Sequence, residues 1–126
     1  MDNQKQIKVM TGYAVLAGLI TPVMLLASVP RLRRLTHGQP GGWSGFRTAR
    51  STSSIENWQL AQTLSANHFM VIGMASLVIA ILAYLVLLRR KNLTLTQLWW
   101  FTLIVTSLPI VALIFSAIYI NSVLPH

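Results

Sequence analysis

The sequence predicts an all-α membrane protein with three transmembrane helices. Hydrophobic residues make up 54% of its 126 residues and charged residues only 10%, whereas soluble domains carry about 25% charged residues. Three long apolar runs contain no charged residue: residues 9–29, 69–88 and 98–124. Each is long enough for a helix to cross the hydrocarbon core, which takes about 20 residues. We therefore expect a single integral membrane domain over residues 1–126.

Local features of the three runs favour retained, packed spans. The run 9–29 is longer than the apolar part of a signal peptide, about 7–15 residues, and no A-x-A cleavage site follows it. Trp99, Trp100 and Tyr119 flank the third run, as aromatic residues do at membrane interfaces. Proline inside a run is tolerated in membrane helices. Small residues four positions apart favour close helix packing; they include Ala14 with Gly18 and Ser76 with Ala80.

The basic residues fall in short clusters that flank the apolar runs. Ten Lys and Arg residues face two acidic ones, a balance found in nucleic-acid binders and in membrane proteins. No recognition helix carries the arginines, so we expect anionic membrane lipids as partners and no nucleic acid. The positive-inside rule does not decide the orientation in the membrane, because the two sides carry equal numbers of Lys and Arg residues. Five basic residues lie in the amino terminus and second loop (Lys5, Lys8, Arg89, Arg90, Lys91) and five in the first loop (Arg31, Arg33, Arg34, Arg47, Arg50).

The connection between the first two runs, residues 30–67, is predicted to begin as a glycine- and proline-rich loop. Ser53 and Glu56 have the spacing of a capping box. From there Ile55, Trp58 and Ala61 share a helical face, which predicts a short amphipathic helix. This helix either lies at the interface or runs straight into the second span, and a bend, if present, would fall at residues 65–67. The short second loop makes the second and third helices antiparallel neighbours.

The sequence argues against an enzyme. No charged residue lies inside a span, which argues against a pump or coupled transporter. There is no cysteine, and no catalytic or nucleotide-binding motif is present. His68, at the mouth of the second helix, has no partners at metal-ligand spacing and is expected to be a hydrogen-bonded residue. We expect no cofactor and no metal.

The stretch GFRTARSTSSIENW, residues 45–58, contains charged side chains, which the spans lack. Gly45 allows a tight turn, Arg47 offers a planar fork for carboxylate or phosphate, and Thr48 offers a hydroxyl group. Trp58 lies on the following helix with its N–H expected to be free for an interfacial partner. Two interpretations remain open: an anchor for lipid headgroups, and a binding site for a specific partner.

The spacing of this stretch resembles the SdpI family of small bacterial membrane proteins. Its signature loop reads roughly G-[ILFY]-R-T-P-W-T, followed by W-x-x-[AG]-N. The matching residues are Gly45, Phe46, Arg47, Thr48, Trp58 and Ala61, and Ser51 stands where the family often has Thr. Ala49 and Arg50 replace the usual Pro-Trp, and Gln62 stands where Asn is usual. The resemblance covers roughly residues 30–115.

The resemblance implies a function in binding. The family is named for the immunity protein that protects cells from the sporulation-delaying toxin peptide. It implies a protein of the bacterial cell membrane that binds a toxin peptide or a regulatory protein through the six matching residues. By analogy with six-span relatives, residues 45–58 are placed on the cytoplasmic side. An accessory or lipid-interacting structural subunit is the alternative function. Three helices bury little surface alone, which favours a homo-oligomer.

Overall fold

A computed structural model describes residues 3–38 and 45–125, which form three long helices. These are α1 (Asn3–Leu35), α2 (Ile55–Leu88) and α3 (Leu95–Val123). Each is long and apolar enough to cross a membrane, so the predicted all-α architecture with three candidate spans is confirmed. The helices have 33, 34 and 29 residues, more than a bilayer requires. Helix α1 extends beyond its predicted apolar run at both ends, and α2 and α3 extend beyond theirs at the amino end.

The three helices alternate in direction. Near the end of α2, the Tyr84 hydroxyl donates a hydrogen bond to the carbonyl oxygen of Ala14, near the start of α1 (2.6 Å). The same ring packs edge-on against Phe101, near the start of α3, with ring centroids 5.2 Å apart. The predicted antiparallel arrangement of α2 and α3 is confirmed, and α1 runs parallel to α3. We call the end that holds the carboxyl ends of α1 and α3 the motif end.

The first loop begins later than predicted. Helix α1 continues through Pro30 to Leu35, whereas the sequence placed the start of the loop at residue 30. Leu32 is buried and packs with Val29 and Ala66, and this contact with α2 extends the helix past the proline. Arg33 and Arg34 lie in the last turn, where positive charge stabilises the negative end of the helix dipole.

The amphipathic segment is the beginning of α2 and not a separate helix. No break interrupts the helix at residues 65–67, so the segment runs straight into the second span. The predicted cap at Ser53 is wrong by one residue, since Ser54 is the N-cap and its side chain accepts from the Asn57 N–H (3.0 Å). The predicted face of Ile55, Trp58 and Ala61 is buried only in part, since Ile55 is 48% exposed. Polar Asn57 and Gln62 are buried beside Trp58 instead.

The bundle interior depends on small residues, while its outer faces are apolar. Gly18 faces the Tyr84 ring, and a Cβ at Gly18 would lie 2.6 Å from the Tyr84 hydroxyl. A Cβ at Gly73 would lie 2.9 Å from the Leu26 side chain of α1. Large aliphatic and aromatic side chains cover the outside of all three helices and are exposed, among them Leu16, Met24, Leu82, Val86, Leu103 and Phe115. Apolar surface of this extent is typical of a lipid-facing protein.

The close approach at Gly18 predicts a difference between two glycines of the same helix. Gly12 has no atom within 4 Å of an added Cβ, so Gly12→Ala should be neutral or stabilise α1 by up to about 1 kcal/mol through helix propensity. Gly18→Ala should destabilise the bundle by about 1–3 kcal/mol, because the Tyr84 ring is held by Ala14 and Phe101. Thermal unfolding in detergent would measure both, and equal stability of the two variants would contradict this packing.

Candidate functional site

The loop of residues 45–54 folds onto the motif end of the bundle. It starts at Gly45, whose φ of 91° is the one positive value among the described residues. A Cβ at Gly45 would lie 2.6 Å from the side-chain oxygen of Gln62 and 3.0 Å from a methyl group of Leu35. Backbone conformation and close approach therefore both require glycine at this position.

The Gln62 side chain clamps the backbone of Phe46. The Phe46 N–H donates to Oε1 of Gln62 (2.9 Å), and Nε2 of Gln62 donates to the Phe46 carbonyl oxygen (2.8 Å). Gln62 is fully buried, so these two bonds satisfy polar groups that water does not reach. The Phe46 ring packs against the cluster of Ala61, Ile120 and Leu124. The clamp thereby fixes Phe46 between α2 and α3.

Trp58 is a structural link to α1. It is fully buried, and its indole Nε1–H donates to the carbonyl oxygen of Leu35 (3.0 Å). Leu35 ends α1, where the last carbonyl groups have no partner within the helix. The expectation of a free indole N–H is therefore wrong, because Trp58 caps the end of α1. The Arg47 guanidinium lies over the Trp58 ring, 5.7 Å from its centroid, at a cation–π distance.

A turn at residues 48–51 ties the loop to α3. The Thr48 hydroxyl donates to Oδ1 of Asn121 (2.7 Å) and accepts from the Ser51 N–H (3.0 Å). The Ser51 hydroxyl in turn accepts from the Thr48 N–H (2.7 Å). Arg50 donates to the carbonyl oxygen of Asn121 (2.8 Å). Asn121 lies in the last turn of α3, so both contacts satisfy polar groups at a helix end.

Asn57 completes the attachment. Its side-chain amide donates to the carbonyl oxygens of Arg50 (3.0 Å) and Pro125 (2.7 Å) and to the Ser53 hydroxyl (3.0 Å). The residues after α3 are thus bound to the start of α2. All three helices therefore contribute polar groups to this end of the bundle.

The structure brings together all six residues that the sequence singled out, but sequence reasoning missed the partners that hold them. Gly45, Phe46, Arg47, Thr48, Trp58 and Ala61 all lie at the motif end. From the sequence, Gln62 was identified only as a departure from the family pattern, and Asn57 and Asn121 were missed. A signal for Gln62 was present, since it follows Trp58 by four positions and so shares its helical face. The role of the six residues in binding a partner stays a prediction.

His68 makes a separate polar contact within the bundle. Its Nδ1 is hydrogen-bonded to the Ser116 hydroxyl of α3, and its ring stacks on Tyr119 with centroids 5.7 Å apart. The expected hydrogen-bonded histidine is thus confirmed. In residues 3–38 and 45–125, no three potential metal-ligating side chains lie together.

Comparison with known protein families gives one match. The SdpI/YfhL protein family matches residues 39–119, more than half of the chain. This chain belongs to the SdpI/YfhL family. No curated protein sequence and no solved structure is significantly similar to it. The matched region contains all six motif residues of this SdpI/YfhL protein, together with Asn57 and Gln62. Leu35 and Asn121, which accept hydrogen bonds from motif residues, lie outside it.

Two departures of this SdpI/YfhL protein from the motif pattern have structural roles. Gln62, where Asn is usual, reaches both polar groups of the Phe46 backbone. Arg50, which together with Ala49 replaces the Pro-Trp pair of the motif pattern, donates to the carbonyl oxygen of Asn121. Both substitutions therefore place a long polar side chain where it attaches the loop.

The clamp predicts that Gln62→Leu releases the loop. The substitution removes the partner of the Phe46 N–H and leaves the Phe46 carbonyl with only the Ser51 hydroxyl (3.2 Å). It should therefore destabilise the closed loop by about 1–3 kcal/mol. Trypsin should then cut after Arg47 and Arg50, sites that the wild-type loop protects. Gln59→Leu, at an exposed position of the same helix, is the matched control and should leave cleavage unchanged. Equal cleavage of wild type and both variants would show that the clamp does not hold the loop.

Proposed function

We propose that this SdpI/YfhL protein is a non-enzymatic binding protein of the immunity or signalling type, which binds a toxin peptide or a regulatory protein at its motif end. The observation that carries the proposal is the attachment of one loop by side chains of α2 and α3 and by the end of α1. Family membership supports it, since the family takes its name from an immunity protein. No catalytic step is needed for such a role.

The precision of the attachment favours a specific partner over a general lipid anchor. A headgroup anchor needs basic side chains at the membrane boundary and makes little demand on loop conformation. Here Asn57, Gln62 and Asn121 are buried or half-buried amides whose hydrogen bonds fix the loop backbone. A fixed loop loses less conformational entropy when it binds, so it binds a partner more tightly than a mobile one. Ala49 and Ser53 are exposed on this fixed backbone and are accessible to a partner.

An immunity role predicts a change in toxin sensitivity. A strain that lacks the gene should be more sensitive to at least one member of a panel of membrane-active peptide toxins. Wild type and Gln59→Leu should restore resistance, whereas Gln62→Leu, produced at the same membrane level, should restore little, because its loop is released.

Unchanged sensitivity of the deletion strain across the panel would contradict the immunity proposal. The accessory-subunit alternative has its own test, which is purification in mild detergent. A stoichiometric complex with a transporter or enzyme would favour that alternative over toxin binding.

We further propose that the protein lies in the cell membrane with its motif end on the cytoplasmic side. The alternating helix directions then place the second loop on the outside. The chain has no cysteine, so single-cysteine variants give an unambiguous test. Ala49→Cys and Asn92→Cys lie at exposed positions of opposite ends. A membrane-impermeant maleimide should label only Asn92→Cys in intact cells and both variants in lysed cells; the reverse pattern in intact cells would invert the orientation.

A further inference from the structure

A pocket of about 540 Å³ lies between α1, α2 and the start of the motif loop. Its volume falls in the range of small-molecule sites, about 300–1,000 Å³. The residues of interest in its lining are Arg31, Leu32, Phe46, Arg47, Ser65 and Phe69. Two arginines thus line an otherwise largely apolar pocket.

The pocket straddles the expected membrane boundary. Phe69 is the first residue of the apolar run 69–88, and Ser28, also in the lining, lies next to the end of the run 9–29. Arg47 belongs to the polar loop. One side of the pocket therefore lies at the depth of lipid chains and the other at the depth of headgroups, so a matching ligand is itself amphipathic.

The charge of the pocket is complementary to an anion. Arg31 and Arg47 both line it, and Arg33, Arg34 and Arg50 lie at the same end of the bundle. Glu56 is the one acidic residue in the described ranges 3–38 and 45–125. Guanidinium groups match the geometry of phosphate oxygens with paired N–H donors. Basic pockets between membrane helices bind anionic lipid headgroups for the same reason.

Ser65 provides an independent observation. It lines the pocket and is 1% exposed, yet its hydroxyl forms no hydrogen bond with any residue that the structure describes. Several other Ser and Thr hydroxyls of the helices bond to a carbonyl oxygen one turn earlier, as Thr63 does to Gln59 (2.8 Å). A buried hydroxyl without a partner is costly, and a phosphate oxygen of a bound ligand would satisfy it.

We propose that this pocket binds one anionic phospholipid. Arg31 and Arg47 hold the phosphate group, Ser65 donates a hydrogen bond to it, and the acyl chains lie along Leu32 and Phe69. This goes beyond the proposed immunity or signalling role and does not depend on it, because the lipid is a resident ligand of the fold.

The test compares two arginines of α1 that carry the same charge. The purified full-length protein is titrated with phosphatidylglycerol or phosphatidylcholine in detergent, and bound lipid is measured by native mass spectrometry. Arg31→Gln should weaken phosphatidylglycerol binding about tenfold, as expected for loss of a charge-assisted hydrogen bond. Arg34→Gln removes the same charge outside the pocket lining and should change it less than about twofold, as a rim charge does. Phosphatidylcholine should bind weakly to every variant.

Ser65→Ala separates ligand binding from folding. It should weaken phosphatidylglycerol binding about fivefold, because one hydrogen bond to the phosphate is lost. In lipid-free detergent its Tm should equal or exceed that of wild type, because a buried hydroxyl without a partner has been removed. If Arg31→Gln fails to fold, this variant decides the proposal by itself.

Three results would overturn the proposal. Equal losses in Arg31→Gln and Arg34→Gln would show general charge attraction and no specific site. Unchanged phosphatidylglycerol binding by Ser65→Ala, together with a lowered Tm without lipid, would assign the hydroxyl a purely structural role. Displacement of the lipid by equimolar inorganic phosphate would identify a soluble phosphate as the ligand. Tight retention of phosphatidylglycerol that phosphate does not displace, with the variant pattern above, would support the lipid site.

Discussion

The double hydrogen bond between the Gln62 side chain and the Phe46 backbone is the contact on which the motif end depends. It lies where the chain passes from α1 to α2, and backbone groups in such a connection have no partners within a helix. Because one amide satisfies both the N–H and the carbonyl of Phe46, the loop can lie directly on the helices. The neighbouring hydrogen bonds of Trp58 and Thr48 attach the same region to the ends of α1 and α3.

The motif residues therefore have two roles: some hold the loop on the bundle, and others are exposed on its surface. Gly45, Trp58 and Ala61 are needed for close packing and for capping α1, so their identity follows from the geometry of the bundle end. Arg47 and the exposed residues of the loop are the part that a partner can reach.

The bilayer explains why polar contacts are concentrated at this end. Within the spans, several Ser and Thr hydroxyls bond to carbonyl oxygens of their own helix, as Thr102 does to Leu98. Tyr84 and Ser116 instead bond to a neighbouring helix, and helix contacts use small residues such as Gly18. Polar side chains from different helices are costly in lipid unless they find each other. This cost is lower near water, and the pocket lined by Arg31, Arg47 and Ser65 lies at the motif end.

The sequence by itself determined the number of helices, their approximate position and the six motif residues, because long uncharged runs and a short spaced motif are local patterns. Prediction from the sequence failed where contacts between residues distant in the chain decide the local structure. The burial of Leu32 against Ala66 carries α1 past Pro30, and the polar partners of Asn57 and Gln62 turn these residues inward while Ile55 faces outward. Only the tertiary structure could decide that Asn121, more than 70 positions along the chain from Thr48, accepts its hydrogen bond. Helical periodicity predicts which residues share a face of a helix, but it does not predict which residues pack against that face.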